Sequence, residues 1–206
     1  MSVDFIFSIA ILIMSVVIHE VSHGYVADSL GDPTARYAGR LTLNPLKHLD
    51  PVGSVIVPVV TYLFGGFIFG WARPVPYNPY NLKNQKRDPG IVAVAGPLSN
   101  ILVAVVFGLT IRFASLLSIP EAFIQVASLI VFINLLLAFF NLIPIPPLDG
   151  SKVLFMLLPI RWYKVQPILE QYGMILLIFF ILFLFQYILP VIFYAFRFIT
   201  GQGVVF

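Results

Sequence analysis

The stretch that decides the fold is FIFSIAILIMSVVIHEVSHGYVA, residues 5–27. From Phe5 to Ile18 its only polar side chains are those of Ser8 and Ser15, and with its continuation to Ala27 it is long enough to cross a hydrocarbon core of about 30 Å as one α-helix. Near its end stand His19, Glu20 and His23. An α-helix turns about 100° per residue, so His19 and His23 stack on one face and can hold one metal ion, with Glu20 beside them to take a proton from water. This is the H-E-x-x-H arrangement of zinc peptidases, and here it lies inside a membrane span. Two imidazoles and a carboxylate are costly in hydrocarbon, which favours a functional site over a chance match.

The composition agrees. Of the 206 residues, 60% are hydrophobic and 10% charged, whereas a soluble domain carries about twice that charge. We expect one integral-membrane domain, residues 1–206, with a last span over about 168–189. There are no cysteines, so disulfides and thiolate ligands are excluded and a metal must be held by His and carboxylate. That donor set fits one Zn²⁺ per chain. The net charge of +3 belongs to loops flanking spans and speaks to membrane orientation, not to nucleic-acid binding. Met1 to Asp4 lacks the Lys or Arg of a signal peptide, so the first span is expected to be retained.

Four spans are expected, at about Phe5–Ala27, Ile91–Ser115, Ala122–Ile143 and Ile168–Leu189, while Pro190–Ile199 is too short to cross. Asp28, Gly31 and Pro33 stop the first. Pro97 near the start of the second is tolerated in a first turn, or kinks a helix that begins earlier. A fifth apolar stretch, Val52–Trp71, contains Pro58, Gly65, Gly66 and Gly70, which weaken it as one straight helix. If it spans, the twelve Lys and Arg divide seven to five across the membrane. If both its ends lie on one side, Arg36, Arg40, Lys47, Arg73, Lys83, Lys86, Arg87, Lys152, Arg161 and Lys164 share that side, with Arg112 and Arg197 opposite. The second division is what the positive-inside rule expects. The fold expected is therefore an all-α polytopic membrane protein, with about four transmembrane helices, a re-entrant segment near the site and the first-span motif facing the cytoplasm.

In that topology His19 lies roughly 21 Å along the first span from Phe5, some 10 Å below the cytoplasmic surface. The third span breaks at a similar level in Asn141-Leu142-Ile143-Pro144-Ile145-Pro146-Pro147-Leu148-Asp149-Gly150. Zinc in a catalytic site takes three protein ligands and keeps one position open, and Asp149 is the best-placed acid for the third. Glu121 is on the opposite side, Glu170 begins another helix and His48 is in a polar loop. The alternative for Asp149 is a cap on a short helix over Gly150–Leu157.

Three elements in this order, HEVSH at His19–His23, AGPLSN at Ala95–Asn100 and NLIPIPPLDG at Asn141–Gly150, resemble the site-2 protease family of intramembrane zinc metalloproteases. The connecting stretches HGYVADSLGDPTARYAGRLTLNPLKHLDPVG and GWARPVPYNP also resemble its short bacterial members, so the likeness covers roughly Phe5–Pro159. The resemblance implies that His19, His23 and Asp149 are the zinc ligands and Glu20 the catalytic acid/base. It further implies a three-helix catalytic core, a membrane-associated β element before the second core helix, and a multi-pass protein of the bacterial cell membrane. Neither a PDZ-like nor a cystathionine-synthase-type domain is read in the chain.

Further roles follow from the chemistry. A tetrahedral oxyanion needs a hydrogen-bond donor besides the metal, and the amide of Asn141 is the candidate, the alternative being a helix cap or packing amide. Asn100 could orient a ligand or bond across helices, and Asn134 reads as interhelical glue. A transmembrane substrate must be unwound and held extended; the β-prone stretches Tyr37–Leu43 and Phe67–Val75 could add it as a strand, or pair only with each other. The run Phe179–Phe185 reads as lipid-facing. Partners implied are a transmembrane protein substrate and the bilayer. The competing readings are a divalent-metal transporter, against which the absence of a second intramembrane acidic cluster counts, and a non-catalytic scaffold that holds a membrane partner.

Overall fold

A computed structural model describes residues 3–50 and 73–203, together with single positions 53, 56, 60 and 63. The rest of Val52–Trp71, and with it the expected re-entrant path, lies outside the described residues.

The long apolar runs form the long helices. Helix α1 is Val3–Ser29, α3 is Asp88–Arg112 and α4 is Glu121–Asn141. Between the first two lies the short helix α2, Thr34–Tyr37. After α4 come α5, Asp149–Leu157, α6, Gln166–Phe179, and α7, Leu189–Thr200. A π-helical turn at Phe180–Leu184 and a 3₁₀ turn at Phe185–Tyr187 prolong α6. Four helices are long and apolar enough to cross a membrane: Phe7–Ser29, Asp88–Arg112, Glu121–Asn141 and Gln166–Tyr187. They match the four expected spans to within a few residues.

Helix α3 is the centre of the bundle, packed against α1, α4, α5 and α7. The small Ala104 and Ala127, both fully buried, let α3 and α4 approach closely around Ile111, Val131 and Leu135. The segment judged too short to cross is α7. It fills this core with Ile192 and Phe196, neither of which is exposed at all. Periodicity alone could not reveal that, because a lipid-facing helix and one packed in a bundle are equally apolar. Helix α6 is peripheral, with Ile175, Ile178 and Leu182 exposed. Phe180 departs from the expected lipid-facing run by packing on Ile143 and Leu148 beneath the proline-rich loop.

Helix α1 ends where the chain needs a positive φ, at Gly31 with φ 111°, a conformation open to glycine. Asp32, which is completely buried, then ties this end to a later loop. Its carboxylate accepts from the Thr34 hydroxyl and backbone, from Asn81 Nδ2 at 2.9 Å and from the Asn78 backbone at 2.6 Å. No β-strand occurs among the described residues. Tyr37 closes α2, Gly39 turns the chain with φ 63°, and residues 73–75 meet this loop through Arg40 instead of through a ladder. The β reading of the two stretches is thus not met in the described part, and 67–72 lie outside it.

Candidate metal centre

One turn of α1 separates His19 from His23, and the rings lie edge to face with centroids 4.7 Å apart. Each Nδ1 is occupied by an oxygen that can only accept. His19 Nδ1 lies 2.6 Å from Asn100 Oδ1 and His23 Nδ1 lies 2.7 Å from the Val92 carbonyl. Asn100 Nδ2 is committed as a donor to Ser15 O and to Asn134 Oδ1, which fixes the Asn100 oxygen towards His19. Both imidazoles therefore carry their proton on Nδ1 and present a bare Nε2. Asn134 completes the network by donating to Ser15 Oγ at 2.9 Å, and Asn100 and Asn134 are fully buried. Asn100 thus fills both roles considered for it, orienting a histidine and joining α1, α3 and α4.

The third group arrives on the first residue of α5. Asp149 Oδ2 lies 3.1 Å from His19 Nε2 and 3.1 Å from His23 Nε2. One ligand atom from each of His19, His23 and Asp149 falls within 4.8 Å of the others. The cap alternative for Asp149 does not describe this geometry, since α5 begins after Leu148 with no side-chain cap and the Asp149 carboxylate faces the imidazoles. Lys152 Nζ stands 3.6 Å from the other carboxylate oxygen and over the Tyr77 ring.

Room for an ion depends on Gly96. A Cβ at that position would lie 2.5 Å from both His19 Nε2 and His23 Nε2. Helix α3 therefore passes over the imidazoles with backbone alone. Two bare Nε2 atoms and one carboxylate oxygen, held by outer hydrogen bonds, are the donors that catalytic zinc takes with a further position left open.

Glu20 stands beside this set. Its Oε2 accepts from the backbone N–H of Val75 at 2.9 Å. Val75 is brought there by a second glycine. At Gly24, one turn beyond Glu20, a Cβ would meet Leu41 at 2.6 Å and Val75 at 2.8 Å, so the loops 35–41 and 73–77 both rest on this face of α1. Arg40 fastens them by donating from Nη2 to the Arg73 carbonyl at 2.7 Å.

Asn141 is half-buried in the last turn of α4, where its amide donates to Leu137 O at 3.0 Å. The rival acids and histidine lie elsewhere. Glu121 opens α4 at the end remote from Asn141, Glu170 accepts from Gln166 in α6, and His48 is buried with Nε2 against the Thr42 carbonyl. Missed in the sequence were the Val75 amide, the Val92 carbonyl and the clearance at Gly96. The first two are backbone groups and leave no residue-type signal. Gly96 was visible as the glycine of AGPLSN, but its meaning needs the neighbouring helix.

Residues 110–185 match the family model described as Peptidase family M50. The chain is 40% identical over 187 residues to YwhC of Bacillus subtilis, described as a candidate zinc metalloprotease, covering 87% of this chain and 78% of that protein. It is 34% identical over 151 residues to Rip2 of Mycolicibacterium smegmatis, of the same description, spanning 56% of that relative's length. MJ0611 of Methanocaldococcus jannaschii, also so described, is 31% identical over 159 residues, with 72% of each chain covered. No solved structure matches the chain.

Proposed function

The chain belongs to peptidase family M50 and is a membrane zinc metalloprotease, and from that premise we propose that it hydrolyses peptide bonds in or near the transmembrane segments of membrane-protein substrates. The observation that carries the proposal is that two bare imidazole nitrogens, on an apolar helix that also bears Glu20, converge with Asp149 Oδ2 of α5 within 4.8 Å. A site on a membrane-length apolar helix is reached more readily by a membrane-embedded chain than by a soluble one.

In this reading His19, His23 and Asp149 hold one zinc ion. Bound there, zinc supplies a Lewis acid that lowers the pKa of water towards about 7 and polarises the scissile carbonyl. Glu20 accepts the proton of the attacking water and returns it to the leaving amine, with Val75 N–H fixing which carboxylate oxygen faces away from the water. Asn100 and Val92 hold the imidazoles in the tautomer that leaves Nε2 free. Asn141 is the proposed oxyanion donor. An amide has two N–H groups, and the bond to Leu137 uses one.

The site is proposed to open towards the cytoplasm, in one membrane domain. The bond from His23 to Val92 joins the last third of α1 to the first turns of α3, so residues 30–87 leave and return at the same end of the bundle. That supports the ten-to-two division of basic residues and a re-entrant Val52–Trp71 over a single crossing.

The test is proteolysis by purified chain and zinc on a single-span substrate. Glu20→Gln should keep zinc and fold while losing cleavage by several orders of magnitude; Asp149→Ala should lose zinc as well. Product masses should place the cut within or at the edge of the apolar span. Cleavage persisting in Glu20→Gln, or confined to soluble loops, refutes the proposal, and zinc-dependent transport without cleavage would favour the transporter.

A further inference from the structure

Beyond the end of α1, the loops 38–50 and 73–76 border a half-open cavity of about 410 Å³ whose lining includes none of His19, His23 and Asp149. Three cations line it: Arg40, Lys47 and Arg73. Among the described residues none of the three forms an ion pair with a carboxylate, whereas nearby Arg36 is paired with Asp28. Arg40 is the costly member. It is only 7% exposed, its Nε has no hydrogen-bond partner, and its Nη2 is committed to the carbonyls of Arg73 and Pro74. A buried guanidinium N–H without an acceptor costs free energy, and an anion close to the guanidinium would offset part of the cost of burying its charge. Burial, and then the charge of Arg73, push the Arg40 guanidinium below its usual value, with Glu20 acting in the opposite sense.

The same rim is apolar where a soluble anion would have no use for it. Leu46 and Leu49 line the cavity and are 73% and 38% exposed, and Leu43 of the same loop and Tyr37 at the end of α2 are exposed as well. The cavity lies beyond the end of a membrane-length helix, and the ends of such helices fall where headgroups meet acyl chains when the helix spans a bilayer. Basic pockets at that level with apolar rims suit anionic lipid headgroups. We propose that this cavity binds the phosphate headgroup of an anionic phospholipid, with Arg40, Lys47 and Arg73 around the phosphate and Leu46 and Leu49 against the glycerol and upper acyl chains. The site does not depend on the proteolytic reading. It does adjoin the segment whose Val75 amide holds Glu20, since Arg40 grips Arg73 and Pro74 just before it.

The test is native mass spectrometry of the full chain in neutral detergent, titrated with phosphatidylglycerol, with phosphatidylcholine of the same acyl chains, and with inorganic phosphate. One phosphatidylglycerol per chain should be retained in preference to phosphatidylcholine. Lys47→Gln with Arg73→Gln removes two exposed charges and should weaken phosphatidylglycerol binding on the order of thirtyfold. Should that double variant fail to fold, the unaltered chain carries the test, because high salt should abolish its preference for phosphatidylglycerol. Equal retention of phosphatidylcholine, unchanged binding by the folded double variant, or a preference indifferent to salt overturns the proposal. Displacement of the lipid by an equal concentration of inorganic phosphate identifies a free-anion site and overturns the lipid assignment.

Discussion

The backbone N–H of Val75 donates to Oε2 of Glu20 across 55 positions of sequence, at 2.9 Å. A loop outside the bundle thereby fixes the carboxylate that stands next to the His/His/Asp set. Hydrogen bonds to charged groups contribute about 1.5–3 kcal/mol, so the contact is strong enough to set which rotamer Glu20 keeps.

Removing that donor should therefore slow chemistry without disturbing metal. Val75→Pro should lower kcat by about tenfold to a hundredfold, with zinc content unchanged by elemental analysis. Val75→Ala keeps the N–H and should remain within a few-fold of the parent. Equal kcat in Val75→Pro and Val75→Ala would show that the amide does not orient Glu20.

At Gly96, helix propensity and site geometry pull in opposite directions. Ala in a helix interior is favoured over Gly by about 1 kcal/mol, yet here its Cβ would stand 2.5 Å from both Nε2 atoms. Gly96→Ala should leave helix content intact by circular dichroism while zinc binding falls below one equivalent. Full zinc occupancy in the folded variant would mean that the imidazoles present other atoms to the ion.

Asn100 is predicted to act on the metal through His19. Asn100→Ala should weaken zinc affinity roughly 10–100-fold, as loss of an outer-shell partner typically does, measured by competition with a chromogenic chelator. Asn134→Ala, one bond further out, should have the smaller effect. The reverse order would place the organising role on α4.

Topology can be read with impermeant thiol reagents, because the chain has no cysteine of its own. Cysteines placed at Ser29, the last residue of α1, and at Asn84, just before α3, should both label from the cytoplasmic side. Labelling of the two from opposite sides would require a single crossing between α1 and α3.

Asp32 gives the fold an acid-labile joint. Its burial favours the neutral carboxyl, but the bonds from Thr34, Asn81 and Asn78 outweigh this and hold it below its ordinary value. A carboxyl lowered in the folded state stabilises fully above the unfolded value, about 3.9, and that contribution is lost as pH falls below it through the folded value. Thermal unfolding in detergent should show a drop in stability below about pH 4, and Asp32→Asn should be less stable at neutral pH with a shallower drop. An equal acid slope in both proteins would remove Asp32 as its source.

The sequence by itself determined the long helices and which residues could make up a metal site. Apolar runs longer than a bilayer core fix four helices, because backbone in lipid must satisfy its own hydrogen bonds. His19 and His23 share a helix face by the geometry of 3.6 residues per turn, and a broken, proline-rich segment ending in an acid offers the third group. What only the tertiary structure decided are relations between elements far apart in the chain. Nothing local tells that Asn100 Oδ1 selects the His19 tautomer, that Gly96 clears the space over two imidazoles, or that one face of α7 fills the core of the bundle. Those depend on which helix passes which at what distance, and a backbone carbonyl or amide such as those of Val92 and Val75 looks the same in every residue until the fold puts it beside its partner.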